Sequence, residues 1–187
     1  MTYARFHAVA EELARLAPDD IRGYEITGEG IVLTAWPSRP HEGAVLRVRR
    51  ELAQHLGPSL IAAAGAAVEN ASVGRLRRPD VIVMPYGLST KPTTGPFHPD
   101  DVTLVVDVVP PSGHGCATRT GDYSAMGIEV YLLVDPRRST LSVFTDPGPH
   151  PDGPRYRARH DYVFGDDVSV GPWKLRTTEL RPYPTSE

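Results

Sequence analysis

The segment Leu104-Val105-Val106-Asp107-Val108-Val109 constrains the fold more than any other stretch of the chain. Apart from one residue it is apolar at every position, so no alternation separates a wet face from a dry one. Such a run reads as a strand buried on both faces, and that requires a sheet covered by other elements on each side. Val81-Ile82-Val83-Met84 is a second run of this kind, and Asp80 leads into it. An α/β architecture with a mixed central sheet flanked by helices satisfies both runs.

Each run also carries a carboxylate that a core strand tolerates only with compensation. An ionised Asp107 between Val106 and Val108 is expensive unless a cation or strong donors stabilise it. If the two strands are neighbours, Asp80 and Asp107 converge and can share one hard cation such as Mg²⁺. The residues alone leave a plainer alternative open. Asp80 can cap a strand after Pro79, and Asp107 can pair with an arginine from Arg75, Arg77 or Arg78.

The rest of the chain supplies the covering elements. Phe6, Val9, Ala10, Leu13 and Leu16 recur at helical spacing, and Pro18 ends that helix. Tyr24–Thr27 and Ile31–Trp36 read as a hairpin across Gly28-Glu29-Gly30. Pro37 and Pro40 close it and open a second helix with an apolar stripe of Val45, Val48, Leu52 and Leu56. A Pro/Thr/Gly-rich loop without pattern of its own runs from Pro85 to Asp101. A short helix over Thr118–Met126 is stopped by Gly127, and Glu129–Val134 and Thr140–Phe144 form a further hairpin. Arg155–Tyr162 alternates, with Arg155, Arg157, Arg159 and Asp161 on the wet side and Tyr156, Ala158, His160 and Tyr162 on the other.

Residues 1–187 make one domain, with no repeat or linker. The formal charge is only −3, so a nucleic-acid contact has to come from a local patch. Arg75, Arg77 and Arg78, which run straight into Asp80, are the candidate DNA-binding residues. Arg47, Arg49 and Arg50 extend that rim or form a solvated helix face. The single cysteine, Cys116, excludes an internal disulfide and a multi-cysteine metal site. Glu11, Glu12 and Arg15 interrupt the N-terminal segment, which is therefore not read as a signal peptide, and the expected location is cytoplasmic.

Three segments in order carry a family resemblance. Arg77-Arg78-Pro79-Asp80 with the strand that follows resembles the "RPD plus apolar strand" signature of the Uma-two family, in the PD-(D/E)XK nuclease superfamily. Leu104-Val105-Val106-Asp107-Val108-Val109-Pro110-Pro111-Ser112 resembles its "LVVEVVSPS". The stretch from Asp122-Tyr123 through Met126-Gly127-Ile128 and Tyr131-Leu132 to Asp135-Pro136 resembles its "DYxxMGIxxYLxVDP". The resemblance runs from about Tyr24 to Phe164.

It implies a restriction-endonuclease-like fold in which Asp80 and Asp107 hold Mg²⁺ or Mn²⁺. Glu25 is then an accessory acid, and His41 stands where the family places a histidine. The family pattern has Glu at the position of Asp107. Its lysine, four residues before the position of Tyr123, is replaced here by Arg119, which carries charge but cannot act as a base. The implied activity is metal-dependent hydrolysis of DNA phosphodiesters, with a homodimer as the assembly that lets two sites address two strands. The alternatives are a non-catalytic binding module on the same scaffold, or an enzyme acting on a small molecule through His41, His114 or Asp107.

Overall fold

The computed structural model describes residues 2–92, 94–113 and 118–184. Its central feature is a six-stranded sheet. The two apolar runs lie side by side in it as β6 (Val81–Pro85) and β7 (Leu104–Val108), counting strands along the chain. The full order is β10-β9-β8-β7-β6-β3, with β3 spanning Leu60–Ala64, β8 Val130–Asp135, β9 Thr140–Gly148 and β10 Arg155–Val163. Only β7 and β8 pair in parallel, because helix α4 (Arg119–Met126) lies between them in sequence and supplies the crossover that parallel strands need.

Both faces of this sheet are covered, which is why its strands read as unbroken apolar runs. On one face Val81, Val83, Leu104, Val106 and Leu132 pack beneath Ala44, Val48 and Leu52 of α2 (Arg39–His55). On the other, Ile82, Met84, Val105 and Tyr131 pack against Tyr123 and Met126 of α4. Tyr131 stacks on Phe144 with ring centres 5.4 Å apart, and the Tyr156 hydroxyl donates 2.8 Å to the Ile128 carbonyl.

A second sheet has the order β2-β1-β5-β4, where β1 is Ile21–Ile26, β2 Ile31–Ala35, β4 Val68–Asn70 and β5 Arg75–Arg77. The period of two sorts its side chains. Ile26 and Leu76 point to α1 (Tyr3–Leu16) and pack on Ala10, while Glu25, Arg75 and Arg77 point the opposite way, toward α4. A C-terminal hairpin, β11 (Asp167–Val170) with β12 (Trp173–Arg176), adds Val168, Val170 and Leu175 to the core on the α2 side. Among the described residues no helix is long and apolar enough to cross a membrane.

Several expectations need correction. The Pro85–Asp101 segment is not without structure: it holds a helical turn, α3 (Tyr86–Ser89), and a 3₁₀ turn over Pro99–Asp101. Phe97 is tied to the second sheet, its amide donating to the Ala67 carbonyl at 2.8 Å and its carbonyl accepting from the Glu69 amide at 2.9 Å. Strands β3, β4 and β5 occupy a stretch assigned no element. His160 is exposed despite its place on the inward parity of β10, on which Tyr156, Ala158 and Tyr162 are half-buried.

The end of α4 sets where β8 begins. Gly127 takes a left-handed conformation (φ 81°), and no heavy atom would lie within 4 Å of a Cβ placed there. Only the backbone therefore demands glycine. Gly127→Ala should lower stability by about 1–2 kcal/mol, and Gly127→Asn by less, since asparagine tolerates this region. Urea unfolding of the three proteins measures the difference.

Candidate functional site

The antiparallel register of β6 and β7 places Val81 opposite Val106. One step further out along the same register, Asp80 stands opposite Asp107; Asp107 faces the α4 side by alternation with Val105, whereas Asp80, just outside β6, reaches His41 of α2. They share the wall of a cavity of about 750 Å³ with Glu25, His41, Thr118 and Arg119. The two runs with their two acids thus meet at one point.

Asp80 has both oxygens engaged. Oδ2 accepts from the Val108 amide at 2.7 Å, and Oδ1 lies 3.0 Å from His41 Nε2. That histidine sits in the first turn of α2, where Pro40 is tolerated, and it is 7% exposed. With Asp80 ionised, Nε2 carries the proton and donates it, and the helix N-terminus behind adds positive potential to the cavity.

Asp107 is satisfied on one side only. Its Oδ1 accepts from Arg119 Nη1 at 2.9 Å, whereas Oδ2 is buried with no hydrogen-bond partner among the described residues. Burial pushes its carboxyl up to about 6, with Asp80 and Glu25 adding to the rise and Arg119 opposing it. Arg119 also bonds the Tyr123 hydroxyl at 3.1 Å, one helical turn on, and approaches Glu25 Oε1 at 3.4 Å.

Glu25 receives the Arg78 amide at 2.8 Å and Arg77 Nη1 at 2.7 Å. Arg77 in turn donates to Thr118 Oγ1 at 2.9 Å and lies 3.0 Å from Asp122 Oδ2. Asp122 Oδ1 accepts from Arg75 Nε at 2.5 Å and from the Gly28 amide at 3.1 Å. Three carboxylates (Glu25, Asp107, Asp122) thus meet the three guanidiniums of Arg75, Arg77 and Arg119, while a fourth, Asp80, has only His41 and the Val108 amide. The uncompensated negative charge falls at Asp80 and Asp107.

This arrangement revises the sequence reading of the arginines. Arg77 is 1% exposed and locked between Glu25 and Asp122, so it is a buried structural cation and not a DNA contact. Arg75 is committed to Asp122 and to the carbonyls of Val73 and Gly74. Of the three, Arg78 alone lines the cavity with a part-exposed side chain, its Nε donating to the Tyr24 carbonyl. The partner of Asp107 is Arg119, not one of this trio. Asp122, Tyr123 and Thr118 were passed over as site residues. The signal that could have found them is the four-residue step from Arg119 to Tyr123 on a short helix that follows β7. His114 and Cys116 lie outside the described residues.

A profile of the Uma2 family, described as "putative restriction endonuclease", matches residues 10–172. The chain belongs to the Uma2 family. Its fold is similar to that in a crystal structure of "a putative nuclease belonging to DUF820" from Anabaena variabilis ATCC 29413. The TM-score is 0.64 over 98% of this chain and 94% of that one, at 12% identity. The match bears out the mixed central sheet flanked by helices expected from the two apolar runs. No curated protein matches the chain.

The state of Asp107 has a pH signature. Its folded carboxyl stands near 6 against an ordinary 3.8, so the charged form costs free energy in the folded state alone. That penalty is absent below about pH 4, grows as the pH rises and is complete above about pH 6. Asp107→Asn removes it. The melting temperature of the metal-free parent should therefore fall relative to that of Asp107→Asn between pH 4 and pH 7. A pH-independent difference between the two would contradict this account.

Proposed function

We propose that this Uma2 protein is a divalent-metal-dependent DNA endonuclease whose metal is held by Asp80 and Asp107. The observation that carries the reading is the buried Asp107 Oδ2, without a hydrogen-bond partner among the described residues, beside Asp80 in the wall of an open cavity. Among the described residues no three His, Cys, Asp or Glu side chains form a ready-made cage. That suits Mg²⁺, which keeps several waters and is commonly bound through only one or two carboxylates. When bound, such an ion would polarise a phosphate and lower the pKa of its water.

The chain's own residues supply the remaining parts. His41 holds Asp80 in place through Oδ1, and the Val108 amide fixes the other oxygen. Arg119 keeps Asp107 oriented and presents a permanent positive charge to an incoming phosphate. Arg119 cannot remove a proton at any accessible pH, so it orients and neutralises but does not act as a base. Glu25 fixes the second guanidinium nitrogen of Arg119 from below.

A second reading rests on the same arginine. Arg119 already provides Asp107 and Glu25 with a counter-charge, at 2.9 and 3.4 Å, and a site neutralised in this way can serve to bind and not cleave. Plasmid cleavage in Mg²⁺ or Mn²⁺ separates the two. Under the endonuclease reading Asp80→Asn and Asp107→Asn each lower cleavage by about a hundredfold or more. Asp107→Glu keeps or raises it, and Arg119→Lys raises it by restoring a titratable amine. If the parent and the Asp107→Glu/Arg119→Lys double variant all fail to cleave while binding DNA, the binding-module reading takes its place.

A further inference from the structure

A second cavity, of about 410 Å³, adjoins the first along α2. Arg22, Trp36, Pro37, His41 and Asp80 line both, so the two form one groove that passes the Asp80–His41 pair. We propose that this second cavity is a nucleotide subsite, in which Trp36 stacks on an unpaired base while Arg22 and Arg49 hold the neighbouring phosphates. The inference rests on the nucleic-acid reading of the site and adds to it the form of substrate, a single or locally unpaired strand.

Trp36 is 62% exposed, yet its backbone is anchored, since its amide donates to the Asp20 carbonyl at 3.0 Å. A large apolar ring is thus held open at the junction of two cavities instead of being folded into the core. Base–aromatic stacking is tolerant of sequence because every base presents a π-face. A base inside a duplex has no free face to offer, so this ring selects an unpaired one.

The cations are independently placed. The β1–β2 register shifts between Ile21 and Gly23, which leaves Arg22 as the extra residue of a bulge. Bulges re-aim side chains, and here the guanidinium swings over Gly65, where a Cβ would lie only 3.0 Å from Nη2. Arg49 follows His41 by two helical turns on the exposed side of α2. Among the described residues neither Arg22 nor Arg49 has a carboxylate within ion-pair distance, unlike Arg75, Arg77 and Arg119. Glu42 and Asp80 also line this cavity, so two arginines face two acids and no net negative charge opposes a phosphate beside Arg22 and Arg49. Charge and stacking surface together fit a sugar-phosphate strand with a splayed base.

The test uses short oligothymidylate in EDTA, so that binding is read without cleavage. Binding should quench the fluorescence of Trp36, one of two tryptophans, and the quench should vanish in Trp36→Phe. Trp36→Ala should weaken binding about tenfold or more, and Trp36→Phe should retain most of it. Arg22→Ala should lower the salt slope of the affinity by about 0.7. Equal binding by parent and Trp36→Ala, or tighter binding of the matching duplex, overturns the proposal. Trp36-dependent binding without any metal-dependent cleavage would sink the endonuclease reading and leave this one standing. Cleavage that proceeds normally in Trp36→Ala would do the reverse, and a protein that neither binds nor cleaves ends both.

Discussion

A line of buried charges alternating in sign, Asp122, Arg77, Glu25, Arg119 and Asp107, holds this structure together across its two sheets. Glu25 and Arg77 come from β1 and β5 of the smaller sheet. Arg119 and Asp122 come from α4, and Asp107 from the centre of the larger one. Among the described residues no strand of one sheet pairs with a strand of the other in the ladders, and these ion pairs are a main polar link between them. Each member would cost several kcal/mol if buried alone, and removing one partner typically costs about 3–5 kcal/mol because its neighbour is left uncompensated. The network therefore behaves as a unit, and its geometry is fixed before any substrate arrives.

That unit explains why the site has spare charge in one place only. Every carboxylate in the line except the last sits between two donors. Asp107 ends it, with Arg119 on one oxygen and no partner among the described residues on the other. Asp80 lies beyond the end of the line and is steadied from a different direction, by His41 on α2 and the Val108 amide. The unpartnered oxygen of Asp107 thus stands at the end of the line, where the network meets the cavity wall.

Much of this was legible in the sequence, and the omissions have physical causes. The two apolar runs announced a covered sheet, because only a strand buried on both faces can drop alternation, and they also located Asp80 and Asp107. Strand β5 escaped because Arg75-Leu76-Arg77 reads as a charged surface turn. Arg77 is in fact buried and Arg75 half-buried, and burial of that kind is visible only once Glu25 and Asp122 are known to face them. Strand β3 was hidden by its alanines, which carry little β preference. The β11–β12 hairpin did carry a signal, the buried pair Val168 and Val170 around Ser169, across Gly171-Pro172. Trp36 was read only as the end of a strand. Its exposure depends on which elements stop short of it, and periodicity does not record that.

The substitutions that distinguish this chain from the family pattern also make sense together. Where the resemblance implies glutamate and lysine, this chain has Asp107 and Arg119. The acid is shorter by one methylene, and the cation is longer and forked. Shortening the carboxylate withdraws it toward β7, and the guanidinium covers the added distance, reaching Asp107 with one nitrogen at 2.9 Å and Glu25 with the other at 3.4 Å. A lysine ammonium has a single nitrogen and does not span both acids in this way. The two positions touch, so substitutions at them are expected to couple. What the exchange surrenders is the titratable amine. What it gains is a cation that stays charged while two buried carboxylates compete for it, one of them with its carboxyl already pushed up to about 6.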